Sequence, residues 1–347
     1  MIVNAAGMAS AEKDEGSGNA HARGLGIFAR AMCVSILLIH AGCSRAPAPA
    51  ATAAGGQFTS AEIVRAGKLA NPKINEASGL AASRKTNGVL WTHNDSGNDP
   101  VLYAIGTDGR FLGSVWLAGA DNIDWEDMAS FTIDGRAYLL VADTGDNNAR
   151  RKNCSLYVIE EPNIAQLSPA KELVVQVAWN VPILYPDKPH DCEAVAVDPG
   201  AKGDGSDGKI YLLTKREAPN RLFSVPLKPE AAGVPQIAWE LGKIALLPQT
   251  SSVQNLLPVP TGRFRGQPTG MDFSPDGRSA VVLTYGNVLL YARREGESWF
   301  SALVRNPVVL PPHKLGQAEA ACFSSDGKTI FVTEENKNAA LLRYDLK

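Results

Sequence analysis

A sustained helical period is what this chain lacks most. Beyond residue 57 no segment keeps a 3.6-residue apolar repeat for more than about ten residues, which excludes helix bundles and sheets joined by long crossover helices. An excess of one charge is missing too: 34 Lys+Arg stand against 36 Asp+Glu, a formal net charge of -2. That balance gives no basic face for nucleic acid and no acidic tail. Cysteine is scarce, with five in 347 residues, and Cys33 and Cys43 fall in the N-terminal segment. The other three, Cys154, Cys192 and Cys322, cannot all pair with one another, so at least one is a free thiol, read as buried and inert. No His/Cys cluster has zinc spacing, and there is no Gly-x-Ser-x-Gly elbow, Ser-His-Asp order or phosphate-cradling glycine loop.

Turn residues and apolar residues are plentiful. The chain has 32 Gly, 22 Pro and 45% hydrophobic residues, enough for many short strands around a large core. Residues 1–30 are polar and Gly/Ala-rich and read as unstructured. The apolar run 31–42, preceded by Arg23 and Arg30, matches the core of a secretory signal and is too short to span a bilayer. It ends Ala41-Gly42-Cys43-Ser44, which resembles a bacterial lipobox with Cys43 as the lipidated residue, although His40 stands where a lipobox has Leu. The pre-apolar segment is long, so translation starting at Met8 is an alternative, and simple cleavage or an uncleaved anchor are alternatives to lipidation. Ser44 after the cysteine resembles outer-membrane sorting. The domain plan is therefore an export signal over 1–43, an Ala/Pro-rich tether over 44–57, and a folded domain over 58–347. The expected location is the cell envelope, as a periplasm-facing outer-membrane lipoprotein or, alternatively, as a secreted or periplasmic soluble protein. The only membrane contact would be the N-terminal lipid.

One phrase recurs five times: E-A-S-G-L at Glu76, E-D-M-A-S-F at Glu126, E-A-V-A-V at Glu193, T-G-M-D-F-S-P-D-G at Thr269 and E-A-A-C-F-S-S-D-G at Glu319. Self-similarity of this kind signals a repeat architecture. Each head is followed by further short apolar runs: 89–93, 101–105 and 111–117 in the first unit; 137–142, 155–159 and 174–179 in the second; 209–214, 221–225 and 236–241 in the third; 280–284, 288–292 and 302–305 in the fourth. The fifth has only 329–333 and 340–344. A strand near 63–69 supplies its missing outer member and closes the ring without open edges. The fold class is all-β, a five-bladed β-propeller. The stretch 247–266 reads as a long loop, with a sixth blade as the alternative. Small residues alternate with larger ones in the heads and neither face is polar, as stacked blades require.

In a propeller the first strand of each blade lines the tunnel. Glu76, Glu126, Glu193, Thr269 and Glu319 are therefore expected in one ring, with His93, Asp143, Lys215, Tyr285 and Glu334 at an aligned position after the second strands. Carboxylates at roughly 5 Å in an effective dielectric of about 20 repel by about 3 kcal/mol per pair, so a cation, protons or Lys215 must sit among them. An all-oxygen, carboxylate-rich site suits Ca²⁺ better than Mg²⁺; the alternative is that the glutamates only hydrogen-bond neighbouring backbone.

The motifs E-A-S-G-L, H-N-D-S-G, D-W-E-D-M-A, D-T-G-D-N-N-A-R-R and D-C-E-A-V-A-V give the chain a resemblance to exported bacterial β-propellers of the phytase-like, strictosidine-synthase-like and NHL-like group. The ring is similar to that of five-bladed calcium-dependent apyrases, which hold an axial Ca²⁺ with one Glu or Ser from each inner strand. Glu126, Glu193 and Glu319 match three of those glutamates, Thr269 falls on a Ser, and Glu76 replaces another Ser.

Outside the ring, the polar loop 143–151 offers Asp143, Asp146 and Asn147 to a metal and Arg150 and Arg151 to a phosphate or carboxylate, or it is an Asx-rich turn. Asn94 and its neighbours in N-D-S-G-N-D are equally ambiguous, and 204–208 reads as a hairpin turn. Trp125 is expected to pack between blades or stack on a ligand at the rim. His93 and His190 are lone histidines near the mouth. Two functions remain open. One is a calcium-binding propeller that takes a small anionic ligand or an envelope protein at the tunnel mouth, with Asn94, Asp146, Asn147, Arg150, Arg151, Lys215, Tyr285 and Glu334 as ligand-binding residues. The other is a metal-dependent hydrolase of phosphate esters or anhydrides, with His93, Asp95, Asp143 and Lys215 as catalytic candidates. The protein is expected to be a monomer.

Overall fold

Short apolar runs punctuated by turns leave each segment one way to bury both faces, which is to stack its sheet between two others. In the computed structural model, which describes residues 58–245, 247, 256, 262 and 264–347, the strands form five sheets. The export signal, Cys43, the tether and most of the 247–266 stretch lie outside the described residues. Among those residues no helix is long and apolar enough to cross a membrane.

The first strand, β1 (Ala61–Lys68), belongs to the last sheet. The first blade is β2 (Ala77–Ala82), β3 (Val89–Asn94), β4 (Val101–Gly106) and β5 (Phe111–Ala118). The second begins with β6 (Trp125–Ile133), β7 (Arg136–Asp143) and β8 (Cys154–Glu160). The run expected as its outer strand splits in two. Its first part, β9 (Leu173–Gln176), adds parallel to β5 on the first blade's edge, and β10 (Trp179–Leu184) pairs with β8. The third blade is β11 (Cys192–Asp198), β12 (Lys209–Thr214) and β13 (Asn220–Pro226). Its expected outer run also splits, into β14 (Gln236–Ile237), parallel to β10 on the second blade, and β15 (Trp239–Ile244), which pairs with β13. In both places the apolar alternation identifies strand but cannot say which sheet takes it.

The fourth blade is β16 (Pro268–Phe273), β17 (Ser279–Thr284), β18 (Val288–Ala292) and the short β19 (Val308–Val309). The run 302–305, expected as its outer strand, instead lies at the end of a helix, α1 (Trp299–Leu303). Ser298 caps α1 by accepting from the Ser301 amide, and the helix buries Trp299, Ala302 and Leu303 on one side. The fifth blade is β20 (Ala318–Phe323), β21 (Thr329–Glu334) and β22 (Ala340–Leu346), and β1 pairs antiparallel with β22 from Ala61–Leu346 to Lys68–Ala340. The N-terminal strand thus completes the last blade. Five blades make the ring among the described residues: each inner strand, β2, β6, β11, β16 and β20, packs against the next and the last against the first.

Local chemistry fits this plan. Gly277 and Gly327 take φ of 66° and 70° in the Ser-x-Asp-Gly turns, where other residues would be strained. Asp276 and Asp326 accept from the amides of Arg278 and Lys328, closing the same turns. Every residue of β2, β16 and β20 is buried. The thiols of Cys154, Cys192 and Cys322 are free and buried.

Candidate functional site

The inner strands share one defect. In each, the pairing with its neighbour slips by one residue at the same place, so that Ser78, Glu126, Glu193, Thr269 and Glu319 are bulged out of register. A bulge re-aims the side chain it carries, and five at one level make a ring. Four of its members are those expected. The first is corrected: Ser78, not Glu76, holds the position in blade one. Glu76 lies two residues earlier, at the level of Asp124, Asp191, Gln267 and Gln317. Its carbonyl accepts from the Asp95 amide as theirs do from Gly145, Lys215, Tyr285 and Glu335, at 2.9–3.3 Å. Its carboxylate accepts from Asn98 Nδ2 at 2.7 Å.

The second aligned set is also re-registered. Asn94, Asp143, Thr214, Thr284 and Glu334 pair with the residue just before each bulge. The residues one further on, Asp95, Thr144, Lys215, Tyr285 and Glu335, are therefore equivalent. Lys215 and Tyr285 stand where the sequence put them, whereas Asp95, Thr144 and Glu335 replace His93, Asp143 and Glu334. His93 is wholly buried on β3, its Nδ1 against Asn94 O at 3.0 Å and its ring edge-on to Trp125 at 5.4 Å. Burial lowers its pKa to about 4, so it is a neutral core residue rather than a base at the mouth. Trp125 is fully buried between blades. His190 lies between Asp187 and Glu217, at 2.9 and 3.0 Å.

The hydroxyl members of the ring tie blades together. Ser78 Oγ donates to Glu126 O at 2.8 Å and Thr269 Oγ1 to Ala318 O at 2.7 Å. One residue beyond Glu126, the buried Asp127 carboxylate accepts from the amides of Met128, Val195 and Met271 at 2.8–3.0 Å, joining blades two, three and four.

The glutamates carry the charge, and they fall into two halves. On one side Lys215 pairs with Glu193 and donates to Tyr285 OH at 2.9 Å, and Tyr285 OH donates to Glu319 Oε1 at 2.7 Å. Burial opposes the Lys215 charge, but Glu193 and Glu319 override it and hold the ammonium well above its ordinary pKa. Burial pushes Glu319 to about 7 against the opposing pull of Lys215 and the tyrosine hydrogen bond.

On the other side, oxygens of Asp95, Asp124 and Glu126 lie within 4.8 Å of one another, and so do those of Glu126, Asp191 and Glu193. Burial raises Asp95 and Asp124 to about 6. Burial, then Glu193 and Asp95, push Glu126 well above the carboxylate range. Among the described residues no Lys or Arg forms an ion pair with Asp95, Asp124 or Glu126. Gly145 closes over this half: a Cβ there would sit 2.1 Å from Glu126 Oε1 and 2.6 Å from Asp124 Oδ2.

The polar loop supports the site more than it lines it. Arg151 pairs with Asp143 Oδ1 at 2.8 Å and donates to Gly145 O at 2.8 Å, its amide donates to Asp146 at 2.7 Å, and the Asp146 amide donates to Asp191 Oδ1 at 2.9 Å. Asp143 Oδ1 also accepts from the Asp124 amide at 2.9 Å. Arg216 links Asp191 to Asn147 and stays 40% exposed. Arg150 is exposed at the rim. Asn94 is a brace, accepting from the amides of Asn75 and Glu76. Glu334 accepts from Gly316 N at 2.9 Å. Sequence reasoning missed Ser78, Asp124 and Asp191. The signal was present: an acidic or amide residue stands two before every ring position, in E-A-S, D-W-E, D-C-E, Q-P-T and Q-A-E.

Fold and site together define a five-bladed β-propeller with a carboxylate-rich tunnel mouth. No protein-family model and no curated protein sequence matches the chain. Among solved structures it is similar to the PQQ-bound aldose sugar dehydrogenase of Streptomyces coelicolor, over 83% of this chain and 99% of that one, at 9% identity and a TM-score of 0.41. Likeness at that level carries no argument about ligand or activity.

Proposed function

We propose that this protein is a cation-binding propeller that holds one Ca²⁺ at the tunnel mouth and uses it to take a small anionic ligand. The observation that carries the reading is the Asp95–Asp124–Glu126 half of the mouth, three carboxylates from two blades that form no direct ion pair with a Lys or Arg among the described residues, under a glycine whose Cβ would fill the space. Such a set fits a cation: it is all oxygen, joins the end of β3 to the start of β6, and leaves positions for carbonyls or water, which suits the loose coordination of Ca²⁺ better than the strict octahedron of Mg²⁺. With Ser78 in place of Glu76, the ring also has the three-Glu, two-hydroxyl composition that the apyrase resemblance implies. Arg216 and Arg150 at the rim offer charge to an anion. Calcium titration of the wild type and of Glu126→Gln tests the reading: the first should bind one equivalent and the second none.

A second reading, hydrolysis of phosphate esters or anhydrides, is favoured by the position of Asp95 and Asp124 beside Glu126, where a carboxylate not taken up by the cation can accept a proton from water. In that reading a bound cation supplies positive charge to a phosphoryl oxygen. Asp95 takes a proton from water and Arg216 holds an anionic oxygen. A screen of phosphate esters and nucleotides with and without Ca²⁺ separates the two: turnover lost in Asp95→Asn supports the enzyme, and binding without turnover supports the binding protein. We also propose lipidation at Cys43 as the means of holding the domain in the envelope.

A further inference from the structure

We infer that Lys215 is a built-in counter-ion that fills one half of the glutamate ring and thereby limits the mouth to a single bound cation. The inference rests on the cation-binding reading above and adds what sets its stoichiometry. The ring is chemically lopsided. Glu193 from blade three and Glu319 from blade five are joined across blade four by one ammonium and one phenol, because Lys215 contacts Glu193 and Tyr285, and Tyr285 contacts Glu319. At the bulge position blade four has Thr269 in place of a glutamate, its hydroxyl donating to the Ala318 carbonyl. The Lys215 and Glu193 side chains are 7% and 4% exposed, so water does little to screen either charge. Lys215 also leans on the Tyr285 ring, its Nζ 5.0 Å from the centroid, which fixes the ammonium over the ring rather than out in solvent.

Glu193 belongs at once to this pair and to the group it forms with Glu126 and Asp191. While Lys215 holds it, it cannot give both oxygens to a metal, and a second divalent ion beside the ammonium would face like charge at short range in a poorly screened site. Glu126, Asp95 and Asp124 on the opposite side feel charge only from a distance, and among the described residues none of them is in direct contact with an ammonium or guanidinium. The mouth is thus divided by sequence: Lys215 at the end of β12 serves one half, and an external ion serves the other.

The test is calcium stoichiometry by calorimetry or equilibrium dialysis on the purified protein, with Lys215→Met, Lys215→Arg and the double variant Lys215→Met/Glu193→Gln. The wild type and Lys215→Arg should bind one Ca²⁺ and Lys215→Met two, with added CaCl2 raising its melting temperature more than that of the wild type. The double variant should return to one. A Lys215→Met protein that binds one Ca²⁺ with unchanged affinity overturns the inference, as does a double variant that binds two. If Lys215→Met does not fold, recovery of the fold in the double variant supports the counter-ion role and failure to recover overturns it. A wild type that binds no Ca²⁺ while Lys215→Met binds one sinks the calcium reading alone. No binding by either variant sinks both.

Discussion

Gly145 and Glu126 are packed so closely that no side chain fits between them: a Cβ on Gly145 would lie 2.1 Å from Glu126 Oε1. The loop after β7 therefore acts as a lid of backbone over the carboxylates. Its amide is anchored to Asp124 O at 3.1 Å, and its carbonyl is gripped by Arg151. Gly145→Ala should leave the propeller folded, cost about 1–3 kcal/mol through forced displacement, and weaken Ca²⁺ binding at least about tenfold. Parallel melting curves and calcium titrations check both effects. Unchanged affinity would show that the lid does not shape the site.

Asp127 ties blades two, three and four together near the axis. Asp127→Ala would strand the amides of Met128, Val195 and Met271 in the interior, at about 1–3 kcal/mol for each unsatisfied group, so the loss should reach about 3 kcal/mol or more. Urea denaturation measures it. Asp127→Asn, which keeps one acceptor oxygen, should lose less.

The pH dependence of the metal-free protein follows from the raised acidities. Asp95 and Asp124 titrate near 6, and Glu319 and Asp272 near 7, because burial disfavours their charged forms. The ordinary values are 3.8 for Asp and 4.5 for Glu, so between about pH 4 and pH 7 the folded state binds more protons than the unfolded chain. Stability is then lost as pH rises through that window. In chelator the melting temperature should be higher at pH 5 than at pH 8, and Ca²⁺ should restore it at pH 8 with little effect at pH 5. A protein more stable at pH 8 in chelator would reverse the sign and contradict the charge-crowding argument.

Export and anchoring are tested separately. Cys43→Ala should move the protein from the membrane fraction to the soluble envelope fraction and remove the mass of the lipid. Equal partition of both forms would leave Cys43 without that role.

The blade plan was legible because each strand carries its own signature. Alternation in 89–93 or 280–284 names a strand, and Ser-x-Asp-Gly names the turn. What could not be read was which sheet a run joins. Leu173–Gln176 and Gln236–Ile237 pair with the preceding blade through backbone groups that no side-chain pattern encodes. Residues 302–305 were misread because a five-residue helix spans little more than one turn, too short to show a period. The ring was misread by two residues in the first blade, and the aligned set by one or two at His93, Asp143 and Glu334. E-A-S-G-L opens with the same two letters as E-A-V-A-V, yet the bulge lies at Ser78, and a bulge is set by cross-strand hydrogen bonding that a single strand does not reveal. Lys215 and Tyr285 were placed correctly because each directly follows the Thr that ends its strand, Thr214 in β12 and Thr284 in β17.

In the proposed function, the Asp95–Asp124–Glu126 half of the mouth holds one Ca²⁺. Calorimetric titration of metal-free protein with CaCl2 at pH 8, run beside Glu126→Gln, tests it most directly. The account predicts one equivalent bound by the wild type with a rise in melting temperature, and none bound by the variant. No heat and no thermal shift in the wild type at millimolar Ca²⁺, or the same binding in both proteins, would contradict it.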